Sequence, residues 1–390
     1  MISRIFEIFV VFTKLGFTSF GGPIAHLSYF HDEFVKRKKW IDEHAYADLV
    51  ALCQFLPGPA SSQVGMAIGL SRAGYAGAIA AWIGFTLPSA AILVLFGLGI
   101  STFHLDDSWL HGLKIVAVAV VAQAIWGMGI KLCPDKHRAT LAVVAAVIAA
   151  TTTSALVQLS VIVLGGIFGI VFLRKHQVLP HVPMKTKVSH TSGAILLFTF
   201  SALLIFLPMA AKTSGNQSLK LFDSFFRAGS LVFGGGHVVL PLLQAEVVPT
   251  GLVSKEMFMA GYGAAQAIPG PLFSFSAYLG AVSQIPPSGW RGALICLIAA
   301  FLPSFLLIVG VLPFWERMRQ HSEMRYAIQG INAAVVGLLL SAFYNPVWSS
   351  AIFSPKDFAL AVACFLLLVF WTVPSWIVVL VSAVVGGFLF

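Results

Sequence analysis

Apolar runs close to the length that crosses a hydrocarbon core, about 20 residues, recur along this chain at 76–100, 113–130, 141–155, 156–173, 195–211, 293–312, 327–343 and 358–370. A shorter run closes the sequence at 376–390 and either spans or folds back. In lipid every backbone N–H and C=O must find a partner inside the protein, so runs of this kind dictate an all-α polytopic membrane protein. Composition agrees, with 58% hydrophobic and 10% charged residues and a mean hydropathy of +0.91, outside the range of a water-soluble domain. Residues 1–12 carry Arg4 and an apolar run with no small-residue cleavage site after it, so no removed signal peptide is expected. Cys53, Cys133, Cys296 and Cys364 are scattered without metal-ligand spacing and read as small buried side chains. The formal charge of +9 does not point to nucleic acid, because the Lys and Arg residues sit mostly in short loops between spans, the pattern of cytoplasmic loops.

The sequence repeats itself. Residues 14–22 (KLGFTSFGG) match 227–235 (RAGSLVFGG) at an offset of 213 residues. The match continues with 54–59 (QFLPGP) and 266–271 (QAIPGP), with Leu87-Pro88-Ser89 and Leu302-Pro303-Ser304, and with 112–121 and 330–339. The expected organisation is a first repeat over 1–175, a basic linker over 176–190 expected in the cytoplasm, and a second repeat over 191–390. Matched loops carry opposite charge bias. Lys36, Arg37, Lys38 and Lys39 face a counterpart at 244–256 with only Lys255 among Glu246 and Glu256. The segment 101–111 has no Lys or Arg, whereas 314–326 has Arg317, Arg319 and Arg325; Lys131, Lys136 and Arg138 are matched only by Lys356. Such reversal predicts two repeats inverted in the membrane, as in many secondary transporters.

Each repeat breaks its first two apolar segments. Gly21, Gly22 and Pro23 interrupt one, and Gly234, Gly235 and Gly236 its counterpart; Pro57-Gly58-Pro59 and Pro269-Gly270-Pro271 interrupt the second pair. A helix cannot pass through Pro-Gly-Pro intact, and broken backbone survives at membrane depth only inside protein or beside a wet cavity. Whether the broken segments span or re-enter stays open; re-entrant hairpins fit the loop charges. Half-helices starting at these turns present unpaired N–H groups and a positive dipole end, a cradle for an oxygen-rich anion. Ser61 and Ser62 follow one Pro-Gly-Pro, Ser274 and Ser276 the other, as hydroxyl donors. Lys14 and Arg227 occupy the same repeat position within apolar sequence; each either snorkels to the interface or meets the anion. Gln54 and Gln266 are candidate ligands or helix-packing hydrogen-bonders. Glu33 and Glu246 are candidates for proton coupling, for salt bridges to Lys14 and Arg227, or for exposed interfacial carboxylates. His237 follows the glycine triplet as a titratable donor, and His26 lies near the equivalent place without matching it. Gly165, Gly166 and Gly169 form a face for close helix packing.

FGGP and FGGGH in paired halves, each followed by Q-x-x-PGP, resemble the chromate ion transporter family over nearly the whole chain. The resemblance implies a bacterial or archaeal inner-membrane carrier that exports chromate, confers chromate resistance and is driven by the electrochemical gradient. Sulfate is a similar tetrahedral dianion, so another oxyanion, or a passive anion channel, is the alternative. No His-Glu-x-x-His pair, Gly-x-Ser-x-Gly nucleophile or carboxylate dyad within a span suggests an enzyme, and no cofactor or metal is expected. Apolar surface and small-residue faces suggest a homodimer in the bilayer. The departures from symmetry at Pro23 against Gly236 and Ile24 against His237 imply that the two hairpins contribute unequally.

Overall fold

The computed structural model describes residues 2–20, 22–103, 107–151, 155–173, 188–233, 239–315 and 322–389. These form sixteen α-helices, short 3-10 and π segments, and no strand. Of the expected linker, 176–187 lie outside the described residues, as do Gly21, Gly234, Gly235, Gly236 and His237.

The first half runs α1 (Ile2–Thr18), α2 (Gly22–Phe30), a π-helix (His31–Arg37), α3 (Glu43–Phe55), α4 (Ala60–Phe103), α5 (Asp107–Leu132), α6 (Lys136–Ala150) and α7 (Ala155–Phe172). Next comes α8 (His190–Ser214). The second half runs α9 (Gln217–Ser230), α10 (Val239–Val247), α11 (Lys255–Ala267), a 3-10 turn (Leu272–Ser274), α12 (Phe275–Ala281), α13 (Gly289–Val311), α14 (Ser322–Ala342), α15 (Pro355–Val369) and α16 (Ser375–Leu389). Among the described residues, five stretches are long and apolar enough to cross a membrane: Ala60–Gly99, His111–Leu132, His190–Ser214, Gly289–Phe314 and Tyr326–Ser350. The chain is an all-α, multi-pass membrane protein.

Helix α4 is two arms rather than one rod. Ala73 leaves the helical region and Gly74 takes φ +68°, a left-handed conformation that glycine adopts without steric cost. The arms fold back so tightly that a Cβ on Gly69 would overlap the Gly77 carbonyl. The second half repeats the device with a loop in place of the kink, where Gly280 of α12 meets Gly292 of α13. The longer arms then receive the first helix of each half: Gly16 of α1 seats against the carbonyls of Gly84 and Phe85, and Gly229 of α9 against Ala300.

The last two helices of each half cross over. Helices α15 and α16 pack on α5, where Ser382 Oγ donates to the Gly112 carbonyl at 2.9 Å. Helices α6 and α7 pack on α14, with Gly165 and Gly169 against Gly330 and Tyr326. The glycine face read from sequence is therefore an intramolecular seam. Helix α8 stands outside this correspondence: it lies on α9 and α13, with Gly193 close to the Gly310 carbonyl, and covers a face that α1 leaves open.

Candidate functional site

The backbone turns at both Pro-Gly-Pro segments. Helix α3 ends at Phe55, Leu56 is extended, and Gly58 turns the chain at φ +119° before α4 starts at Ala60. Helix α11 ends at Ala267, and Gly270 turns it at φ +102° before the 3-10 segment. Proline on both sides removes amide donors and blocks a helix from running through, while glycine alone tolerates these φ values.

Each turn is anchored on the opposite half. The Gly58 N–H donates to the Val232 carbonyl at 2.6 Å, just past the end of α9, and the Gly270 N–H donates to the Ser19 carbonyl at 2.9 Å, just past the end of α1. Ser19 and Val232 stand at matched positions of the 213-residue offset, so the two bonds correspond. Both glycine amides are therefore committed within the protein. The amides open to a ligand are those of the first turn of α4, where Ala60, Ser61 and Ser62 have no backbone acceptor among the described residues.

Around the first turn gathers a buried polar cluster. His26 is 1% exposed, with Nδ1 3.3 Å from Ser61 Oγ and Nε2 3.2 Å from the Ser19 carbonyl. Gln63 Nε2 donates to the Pro57 carbonyl at 2.7 Å, leaving its Oε1 without a partner. Ser304 Oγ of α13 presses on Gly58, also without a partner. Ser19 Oγ, Ser62 Oγ and Thr86 Oγ1 are likewise buried and unpartnered. Native interiors leave few such atoms, and a group of them marks a place for water or a polar ligand.

The matched region of the second half is spent differently. Ser274 Oγ is 2.7 Å from Ser89 Oγ, which lies beside Gly270, and Ser276 Oγ donates to the Phe273 carbonyl at 2.7 Å. Phe273, Phe275 and Phe301 fill the rest, each no more than 2% exposed. Gln266 lines a cavity of about 270 Å³ with Gly22, Gly270, Gln123, Thr372 and Ser375. Its Nε2 has no partner, while its backbone carbonyl accepts from Ser375 Oγ at 3.3 Å. This cavity brings Gly22 of the first break to Gly270 and Gln266 of the second; Gln54, the repeat equivalent of Gln266, is exposed.

The charged candidates separate. Arg227 grips Glu246 with two bonds, 2.9 and 3.0 Å, and Asp223 through Nε at 3.1 Å. Its charge is met inside the protein by two carboxylates, one of which is the Glu246 expected as a partner. Lys14 is exposed on α1 along a stripe with Phe6, Val10 and Phe17 and has no ion-pair partner among the described residues, the position of a side chain that snorkels. Glu33 pairs with Arg37 one turn on, not with Lys14. Pro23 lies in the first turn of α2.

Sequence reading passed over Ser19, Gln63, Thr86 and Asp223, saw Ser89 and Ser304 only as repeat markers, and gave His26 no partner. The signal available was in the mismatches: Gln63 stands opposite Phe275, and Thr86 opposite Phe301.

Broken helices whose ends meet among buried, unpartnered polar groups, inside a bundle of membrane-length apolar helices, define a multi-pass membrane transport protein. The family model described as chromate transporter matches residues 6–170 and 219–387, and the chain belongs to that family, which is one of transporters and not of enzymes. Among its relatives, the chromate transport protein of Pseudomonas aeruginosa is 25% identical over 85% of this chain and 79% of its own length. The probable chromate transport protein of Synechococcus elongatus is 26% identical over 85% and 81%, and the chromate transport protein of Cupriavidus metallidurans 24% identical over 97% and 92%. No solved structure matches the chain.

Proposed function

We propose that this protein carries chromate out across the bacterial inner membrane and so confers chromate resistance, with the oxyanion bound where the interrupted helices of two inverted repeats meet. The observation that carries this reading is the cluster of unpartnered buried atoms at the reciprocally anchored Pro-Gly-Pro turns. A tetrahedral dianion needs several hydrogen-bond donors and no fixed countercharge, and hydroxyls together with first-turn amides of α4 supply them. The names of the relatives supply the cargo, and the family match in two separate segments supports the two-repeat organisation.

The Arg227 cluster has one more carboxylate than cations, so we assign it to coupling rather than to the anion. A proton on Glu246 or Asp223 balances it, and exchange of that proton with one side of the membrane ties flux to the gradient. The test is flux of labelled chromate and sulfate in inside-out vesicles under an imposed gradient. Gradient-dependent chromate uptake, competed by sulfate only at excess, supports export; uptake independent of any gradient makes the protein a passive channel, and sulfate preferred over chromate changes the cargo.

A further inference from the structure

The ring of His26 has its two nitrogens engaged by groups of different kinds. A carbonyl oxygen only accepts, so Nε2 must carry the hydrogen that goes to Ser19. In the neutral ring Nδ1 is then the acceptor, and the Ser61 hydroxyl donates to it. This places the Ser61 hydrogen on the histidine and away from the break. If Nδ1 takes up a proton from hydronium, which leaves as water, an N–H bond forms there and that N–H donates to Ser61 Oγ. The Ser61 hydrogen is released to point elsewhere, beside the free amides of α4 and the unpartnered hydroxyls of Ser62 and Ser304. One proton thus adds a positive charge at the break and turns one more donor toward it.

The groups facing His26 leave that charge without a fixed partner. From α4 come Ser61 and Phe85, whose ring meets the imidazole edge-on at 5.3 Å, and from the end of α1 the Ser19 carbonyl. Tyr46 of α3 is turned toward α2 but donates to the Leu27 carbonyl at 2.6 Å. On the π-helix that follows α2, His31 is held by Glu43, Asp32 by Lys36, and Glu33 by Arg37. No carboxylate among the described residues lies in hydrogen-bond contact with the ring, so an anion at the break is the countercharge.

We propose that His26 is the proton-binding group behind a one-sided anion site, acting on the anion through Ser61, with the site built on the first-half break and Ser304 crossing from the second half, and that each tetrahedral oxyanion enters with a proton on His26. The second-half equivalent of His26 is Val239, and of Gln63, Phe275, so the matching position has neither the base nor the donors. This rests on the oxyanion-transport reading.

The test uses purified full-length protein, with labelled chromate and labelled sulfate binding measured across pH together with proton uptake on binding. His26→Gln retains a donor for Ser19 and an acceptor for Ser61, which fixes the neutral arrangement and keeps the fold. Wild-type protein is expected to bind more tightly as pH falls and to take up a proton that H26Q does not, both compared with the same anion so that its own titration cancels. H26Q is expected to bind roughly ten- to a hundredfold more weakly at low pH, the loss of the nearby charge and of the Ser61 donor that it frees. Ser61→Ala is expected to weaken binding while proton uptake persists. Monodisperse H26Q with wild-type affinity and wild-type proton uptake overturns the role of His26 while leaving transport in place. Wild-type protein that binds neither anion overturns the transport reading with it.

Discussion

Around the first Pro-Gly-Pro turn stand His26, Ser61, Gln63 and Thr86; at the matching positions around the second stand Val239, Phe273, Phe275 and Phe301. The two turns share backbone geometry, with positive φ at Gly58 and Gly270 and one bond each to the opposite half. Their contents differ in kind. In the second half Phe273 packs on Phe301 at 5.7 Å and Phe275 stacks on Tyr278 at 5.8 Å, all fully buried. Inside a bilayer such rings stabilise by close packing rather than by leaving water, so this half holds the crossing of the helices. The first half leaves polar atoms unsatisfied at a cost of about 1–3 kcal/mol each, which a ligand recovers on binding. The same turn geometry occurs twice with two different fillings.

The charged pair gives the largest expected contrast. Arg227→Gln leaves two partly buried carboxylates, Glu246 and Asp223, uncompensated, about 3–5 kcal/mol in a fully buried setting and less at the 30% exposure of Arg227. Chromate flux in vesicles is expected to fall at least about tenfold at unchanged protein level. Lys14→Gln, on the lipid-facing stripe, is expected to change flux less than about twofold. Equal losses at the two positions would return Lys14 to the site.

The hinge glycines come next. Gly58→Ala and Gly270→Ala each force a side chain into positive φ, costing about 1–3 kcal/mol, read as a lower midpoint in thermal unfolding. At Gly58 the new Cβ also overlaps the Ser304 hydroxyl. Adding Ser304→Ala is expected to rescue part of the G58A defect and none of the G270A defect; equal rescue would show that the two turns do not differ in their neighbours.

The sequence made the frame legible, because Pro-Gly-Pro and Phe-Gly-Gly at nearly constant offsets are backbone statements that need no partner to be read. It also exposed the glycine seam at Gly165 and Gly169. The filling was harder to see. A search for repetition weights what matches, such as Gln54 with Gln266 and Lys14 with Arg227, and these pairs turn out to sit in unlike places: Gln54 exposed and Gln266 at a cavity, Lys14 on the surface and Arg227 between two carboxylates. Ser89 reaching Ser274 across 185 residues leaves no trace in local pattern. That helix α8 packs on α9 and α13 likewise leaves no trace in local pattern.

Serine substitutions sharpen the comparison further, since their signs are opposite. Ser274→Ala removes the buried hydroxyl bond to Ser89, which keeps its own bond to the Thr86 carbonyl, and is expected to lower stability by about 1 kcal/mol without changing chromate affinity. Ser62→Ala removes a hydroxyl that has no partner, so the ligand-free protein is expected to hold or gain stability while affinity falls roughly tenfold. Thermal unfolding with and without chromate reads both quantities; the same sign for both variants would erase the distinction between the halves.

The smallest effect is expected at the helix caps, where matched helices again differ. Asp135 caps α6 by accepting from the amides of His137 and Arg138, whereas Ser354 caps α15 in a capping box with Asp357. The Arg138 amide holds the Asp135 carboxyl below the ordinary carboxylate range, opposed by desolvation and helped by the Arg138 guanidinium. A depressed carboxylate contributes stability above its unfolded pKa and loses it as pH falls through its folded pKa. Asp135→Ala is expected to cost about 0.5–2 kcal/mol at neutral pH, shrinking toward acid pH, while Ser354→Ala costs a similar amount with no such decline on account of the serine. A pH-independent deficit in D135A would show that the carboxylate charge is not what caps α6.

The central claim, that the anion sits at the first-half break, is tested most directly by a cryo-electron microscopy structure of the full chain with chromate or sulfate bound. Tetrahedral density within hydrogen-bond reach of Ser62, Gln63 and Ser304 is the expected result. Density enclosed by Gln266, Gln123 and Ser375, or lodged among Phe273, Phe275 and Phe301, would contradict it.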